Sequence, residues 1–227
     1  MKTSKVALYI YFICSFLAVI ANIFMLDGLK LFTLPLIIPA LFFYYYIDSK
    51  KMSILVCLYL LTNFIGDSIG LMNFENEIYY IIPPFFISNL VMVIILIKNI
   101  EKFKFNMLNL TALMIVALFL IYILCIILDL FAFGETYIQL QVAVFGSLLI
   151  ILALLSAYNI VSRINTSNLF SMISVSCVLV SDTFYIFYNF QNQLIVLNSI
   201  HFTCHVFTYL FFVKYVLLRE EKTIIQQ

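Results

Sequence analysis

The stretch Asn63-Phe64-Ile65-Gly66-Asp67-Ser68-Ile69-Gly70-Leu71-Met72-Asn73 decides how the rest of the chain is read. It closes an apolar run, residues 52–73, that is too long and continuous for a strand or loop of a soluble protein. Yet it carries a carboxylate and two amides. A carboxylate in the middle of a membrane span costs about 2.5–3.5 kcal/mol on insertion scales, so such a residue turns toward a polar interior and by default has a task. A second one stands near the end of another apolar run, in Val180-Ser181-Asp182-Thr183-Phe184-Tyr185. Each aspartate follows a small residue, Gly66 or Ser181.

Composition places both stretches in a membrane. Of 227 residues, 65% are hydrophobic and 10% charged, against about 25% charged in a soluble domain. The mean hydropathy is +1.15. There is too little polar surface to coat a soluble globule, and a net charge of +1 excludes a globally basic nucleic-acid binder. Trp is absent, so Tyr must supply any aromatic belt. The five cysteines all lie in apolar runs without metal-type spacing and read as small packing residues.

A helical span needs about 20 apolar residues. Eight stretches qualify: residues 6–26, 31–47, 52–73, 78–98, 107–130, 137–159, 169–190 and 193–217. The predicted fold is therefore an all-α polytopic membrane protein of about eight spans with short loops, one transmembrane domain over residues 1–227. The first run follows Met1-Lys2-Thr3-Ser4-Lys5 and reads as a retained span, being long and without a small-x-small cleavage site. Pro35 and Pro39 predict a kink in the second span. Asp67 and Asp182 fall four spans apart, each followed by an Asn-Phe tail, a pattern that two parallel four-helix halves would produce.

Positive charge sets the orientation. The termini and the loops after spans two, four and six hold eleven of the twelve basic residues; the opposite side holds Lys30 alone. The positive-inside rule then makes both termini cytoplasmic; the chain is expected to be a multi-pass integral membrane protein, of the plasma or inner membrane if bacterial.

Helical rise places the polar groups in depth. Asp67 lies roughly 9 Å below the outer end of its span, and Asp182 and His201 roughly 12 Å. His205 is one turn deeper than His201, and Asn63 one turn below Asp67. Ser181 and Tyr185 flank Asp182 on its helix. Gly66 and Gly70 form a small-xxx-small pair that brings a second helix close to Asp67. Two carboxyl groups in a low-dielectric pocket titrate apart, one ionised and one able to donate a proton. That is the acid and base pair needed to hydrolyse an ether-like bond, and a pocket opening into the leaflet suits a lipid substrate.

Eight short-looped spans, Asn63-Phe64-Ile65-Gly66-Asp67-Ser68-Ile69-Gly70-Leu71 in the third and Val178-Leu179-Val180-Ser181-Asp182-Thr183-Phe184-Tyr185 in the seventh resemble the YhhN-like family, the lysoplasmalogenases. The resemblance implies cleavage of the vinyl-ether bond of a lysoplasmalogen, a membrane lipid, to a fatty aldehyde and a glycerophospho-head group. It implies Asp67 and Asp182 as the catalytic acid and base, without saying which is which. Asn63, Ser181, Tyr185, His201 and His205 are the expected supporting or substrate-binding groups, and no cofactor is expected. Two other readings stay open. In one, His201, His205 and an aspartate hold zinc that activates water. In the other, the acids serve proton or cation coupling in a small carrier that is not an enzyme.

Overall fold

A computed structural model of the chain describes residues 3–72, 77–100, 107–131, 136–191 and 193–225. Among them are eight α-helices: α1 (Thr3–Ile23), α2 (Asp27–Asp48), α3 (Ile54–Leu71), α4 (Ile78–Lys98), α5 (Met107–Asp129), α6 (Thr136–Ser162), α7 (Thr166–Phe190) and α8 (Ile195–Ile225). All eight are long and apolar enough to cross a membrane. Many large apolar side chains point outward, among them Phe16, Phe32, Ile115 and Leu118. Such faces fit hydrocarbon rather than water, and the protein is an all-α polytopic membrane protein. With an even number of spans, both described ends lie on one side.

Helix limits differ from the hydropathy reading where local geometry overrides it. The first apolar run continues to Leu26, but α1 stops at Ile23. Met25 takes the left-handed conformation at φ 53, and the Leu26 N–H bonds the Ala21 carbonyl at 2.8 Å. This is a Schellman stop, made with a methionine where glycine is usual; the left-handed residue costs about 1–2 kcal/mol. The turn lets α2 begin at Asp27, whose carboxylate sits favourably in the first helical turn. Pro35 and Pro39 lie inside α2, and Pro83 and Pro84 inside α4; both helices run on through them, each proline removing one backbone bond.

The pairs α1–α2, α3–α4 and α7–α8 pack most extensively; α8 also touches α1 and α2, and α6 touches α4, α5 and α7. The α5 helix buries only 6% of its apolar window within the protein, so it stands at the rim against α6. Tyr11 on α1 donates to the Val206 carbonyl on α8 at 2.7 Å.

The α7–α8 contact has a regular chemistry. Ser167, Ser174 and Ser181 recur at seven-residue intervals on α7, and all three are fully buried. Ser167 donates to the Tyr215 carbonyl at 3.3 Å and Ser174 to the Thr208 carbonyl at 3.0 Å. Ser181 meets His201 at 3.0 Å. The partners on α8 step back by seven as the serines step forward, as an antiparallel pair with a heptad seam requires. Small hydroxylic residues let the two backbones approach and replace apolar driving force with hydrogen bonds.

This seam should be sensitive to volume. Ser174→Leu is expected to lower stability in detergent by about 1–3 kcal/mol through overpacking, and Ser174→Ala by only about 0.6 kcal/mol. Thermal unfolding of the purified variants checks both, and an unchanged midpoint for the leucine variant would contradict a tight seam.

Candidate active site

A cavity of about 320 Å³ opens among the helices near the ends that the charge pattern assigns to the outer side. Asp67 and Asp182, separated by more than a hundred residues, both line it. So do Tyr185, His201 and His205, with Asn22 and Lys30 from the α1–α2 hairpin and Glu77 from the start of α4. The site therefore gathers five of the seven residues expected from the sequence around one space.

The centre is a network on Asp67, which is 8% exposed. The His205 Nε2 lies 2.8 Å from Asp67 Oδ1. The Tyr209 hydroxyl lies 3.0 Å from each Asp67 oxygen and 2.6 Å from His205 Nε2. On the other side of the ring, His205 Nδ1 is 3.5 Å from Ser181 Oγ. His201 Nδ1 lies 2.9 Å from the Ser181 carbonyl, which can only accept, so this nitrogen carries a proton. The Ser181 hydroxyl is then free to donate to His205 Nδ1, leaving His205 Nε2–H and Tyr209 O–H both directed at Asp67. This assignment rests on donor and acceptor counting. It makes Asp67 the acceptor on which the network converges.

Ser181, His205 and Asp67 have the order of a nucleophile, base and orienting carboxylate, but Ser181 is fully buried and lies beneath both imidazoles. It orients the two histidines and does not face the cavity. Asp182, the next residue, does face the cavity and accepts no hydrogen bond from the described residues. The two aspartates thus stand in different surroundings. Asp67 is held by donors, whereas Asp182 is open to a ligand.

Asn63, one turn below Asp67, was expected among the supporting groups of the site. Its amide instead donates to the Tyr59 carbonyl at 2.8 Å and to Ser88 Oγ at 2.5 Å, tying α3 to α4. Asn63, Ser88, Asn89 and the buried Tyr59 surround a second space of about 20 Å³ that also touches Asp182 and His205. This volume holds about one water molecule, and the Tyr59 hydroxyl has no partner among the described residues. Tyr185, read as a neighbour of Asp182, donates to Glu77 Oε1 at 3.0 Å and closes the α4–α7 side of the main cavity.

His201 and His205 share a face, their ring centroids 5.5 Å apart. Both Nδ1 atoms are engaged with Ser181, and His205 Nε2 with Asp67. Among the described residues no three His, Cys, Asp or Glu side chains stand close enough to share a metal ion.

Three residues were not picked out from the sequence: Tyr209 of the Asp67 network, and Glu77 and Lys30 of the cavity lining. Tyr209 stands at i+4 from His205, which puts it on the same helical face; that spacing was a usable signal. Glu77 and Lys30 read only as loop charges, and nothing in the sequence says that the hairpins fold them inward.

Gly66 supplies the close approach expected of it. A Cβ there would stand 2.7 Å from two ring carbons of Phe85, whereas at Gly70 the nearest atom, Ile81 Cδ1, would be 3.5 Å away. Phe85 in turn meets His205 edge-on, with centroids 5.2 Å apart at 88°. Compared with known proteins, the chain matches no protein-family model, no curated protein and no solved structure.

Gly66→Ala is expected to push Phe85 against His205 and to cost about 1–3 kcal/mol, while Gly70→Ala leaves the melting temperature unchanged. Thermal unfolding of the two variants side by side distinguishes a built contact from a generic loss of glycine.

Proposed function

We propose that the protein is an integral-membrane lipid hydrolase of the lysoplasmalogenase type, with Asp67 and Asp182 as its two working carboxyl groups. The observation that carries this reading is their shared cavity and unequal surroundings: Asp67 accepts from His205 and Tyr209, and Asp182 is open. A carboxylate stabilised by donors suits a base, and a carboxyl group free of partners suits an acid.

The reaction consumes one water. Asp182 gives its proton to the vinyl carbon remote from the ether oxygen, and positive charge develops on the adjacent carbon and oxygen. Asp67 stabilises that charge and takes a proton from the attacking water, whose oxygen bonds to the carbon that bears the ether oxygen. The resulting hemiacetal breaks its bond to the glycerol oxygen, which leaves as the alcohol after receiving a proton, while the hydroxyl proton returns to the protein. The products are a fatty aldehyde and the glycerophospho-head group. His205 and Tyr209 keep Asp67 in place and share its charge; Ser181 keeps His205 in place. The resemblance to the YhhN-like family in the third and seventh spans supports the same reading, as does a cavity set among apolar helices. The setting proposed is the plasma membrane or bacterial inner membrane, with both termini in the cytoplasm.

Purified protein in detergent, given lysoplasmalogen, is expected to release fatty aldehyde at the same rate with and without a chelator. Asp67→Asn and Asp182→Asn should each reduce turnover by about 10²–10⁴-fold while the protein remains folded. Tyr209→Phe, which removes one donor to a carboxylate, should lower turnover by roughly tenfold. Wild-type turnover in either asparagine variant would end the two-acid mechanism. Loss of turnover with chelator would favour a metal-dependent hydrolase, and ion-coupled transport without aldehyde release would favour a carrier.

A further inference from the structure

The wall of the cavity built by the α1–α2 hairpin is chemically unlike the acidic remainder. Lys30, the lone basic residue on the side that the charge pattern makes outer, lines the cavity from the first turn of α2. Its ammonium lies 5.6 Å from the Phe202 ring centroid, and that ring is buried and shares the cavity wall. Among the described residues the one ion pair is His205 with Asp67. Asp27, Glu77 and Asp67 act on Lys30 electrostatically, but none comes within ion-pair distance. The ammonium is thus held over an aromatic face, with no hydrogen-bond or ion-pair partner among the described residues.

Asn22 supplies the second, independent observation. It sits in the last turn of α1, is 6% exposed and lines the same cavity. Its Nδ2 is buried without a hydrogen-bond partner among the described residues. A buried donor left unmade costs more than a made bond contributes, so an orphan amide and an ammonium in the lining of one cavity describe a place for an acceptor. Both residues belong to helix ends, at the depth where a bilayer carries its head groups.

We propose that Lys30 and Asn22 form a phosphate subsite that binds the phosphodiester of the lipid substrate and so sets the depth at which its glycerol ether reaches Asp67 and Asp182. This deepens the reading of the cavity as a lipid-hydrolase site and rests on it for the identity of the lipid. An ammonium and an amide N–H are complementary to phosphate oxygens, while the Glu77 and Asp67 carboxylates in the remaining wall repel an anion placed elsewhere. Lys30 and Asn22 are specificity-determining residues that touch the head group and take no part in proton transfer.

The test reads binding rather than turnover. Native mass spectrometry of the full chain in detergent compares an alkyl-ether lysophosphatidylethanolamine, which has no vinyl bond to cleave, with the matching alkylglycerol, which has no phosphate. The wild type is expected to prefer the phospholipid by about tenfold or more, the scale of a charge-assisted contact. Lys30→Gln should remove most of that preference, Asn22→Leu part of it, and Lys30→Arg should retain it. Equal binding of the two ligands by the wild type, binding of neither, or a preference that survives Lys30→Gln overturns the subsite. Displacement of the phospholipid by millimolar inorganic phosphate would make it a site for the free anion and overturn its assignment to a lipid. A preserved, Lys30-dependent preference in a protein that releases no aldehyde would instead sink the hydrolase reading and leave the subsite standing.

Discussion

The hydrogen-bonded seam between α7 and α8 is the constraint on which the site depends. Three buried serines on one helix face backbone or imidazole groups on the other at matching seven-residue steps. Such a seam fixes both the separation of the helices and their register, because a slip of one residue would present larger side chains to the same space. In lipid there is no water to drive apolar faces together, so small residues and interhelical hydrogen bonds must hold the pair. The last step of the seam falls on Ser181, where the partners are the site histidines. Structural packing and orientation of the site are therefore one device continued along one contact.

The polar network is costly away from water and is satisfied accordingly. His205 is oriented from one side by Ser181 and from the other by Asp67, and Tyr209 reaches the same carboxylate from one turn farther along α8. Three helices contribute to this group, so each fixes the others. Asp182 escapes it although its neighbour Ser181 is part of it. On a helix, consecutive residues point about 100° apart, which turns Ser181 into the α8 contact and Asp182 into the cavity. The two carboxyl groups differ by virtue of that rotation, and unequal carboxyl groups are what acid and base chemistry requires.

The outer hairpins complete the space. The α1–α2 turn, closed by Met25 in a left-handed conformation, places Asn22 and Lys30 in one wall, and the start of α4 places Glu77 in another. A glycine at position 66 lets Phe85 lie close and press its edge toward His205. Polar groups thus line a chamber whose outer surfaces remain apolar, so the same helices satisfy lipid outside and a polar ligand inside.

Much of this was legible in the chain. Long apolar runs made eight spans unavoidable, because hydrocarbon leaves backbone groups no partner outside a helix or a closed barrel. The intramembrane cost of a carboxylate singled out Asp67 and Asp182, and the helical rise put them with His201 in one layer. The i+4 spacing that joins His201 and His205 extends to Tyr209, and the repeat of Ser167, Ser174 and Ser181 is a signal of the same kind; both follow from periodicity along one helix. What periodicity cannot supply is which faces of different helices meet. Only the tertiary structure decided that Asn63 ties α3 to α4, that Glu77 and Lys30 fold into the cavity, and that Asp67 collects the donors while Asp182 stands open. The sequence by itself determined the class, the spans and the layer of polar groups, since these depend on composition and on rise along one helix. The pairing of those groups depends on the rotation and register of helices distant in sequence, which only their packing fixes.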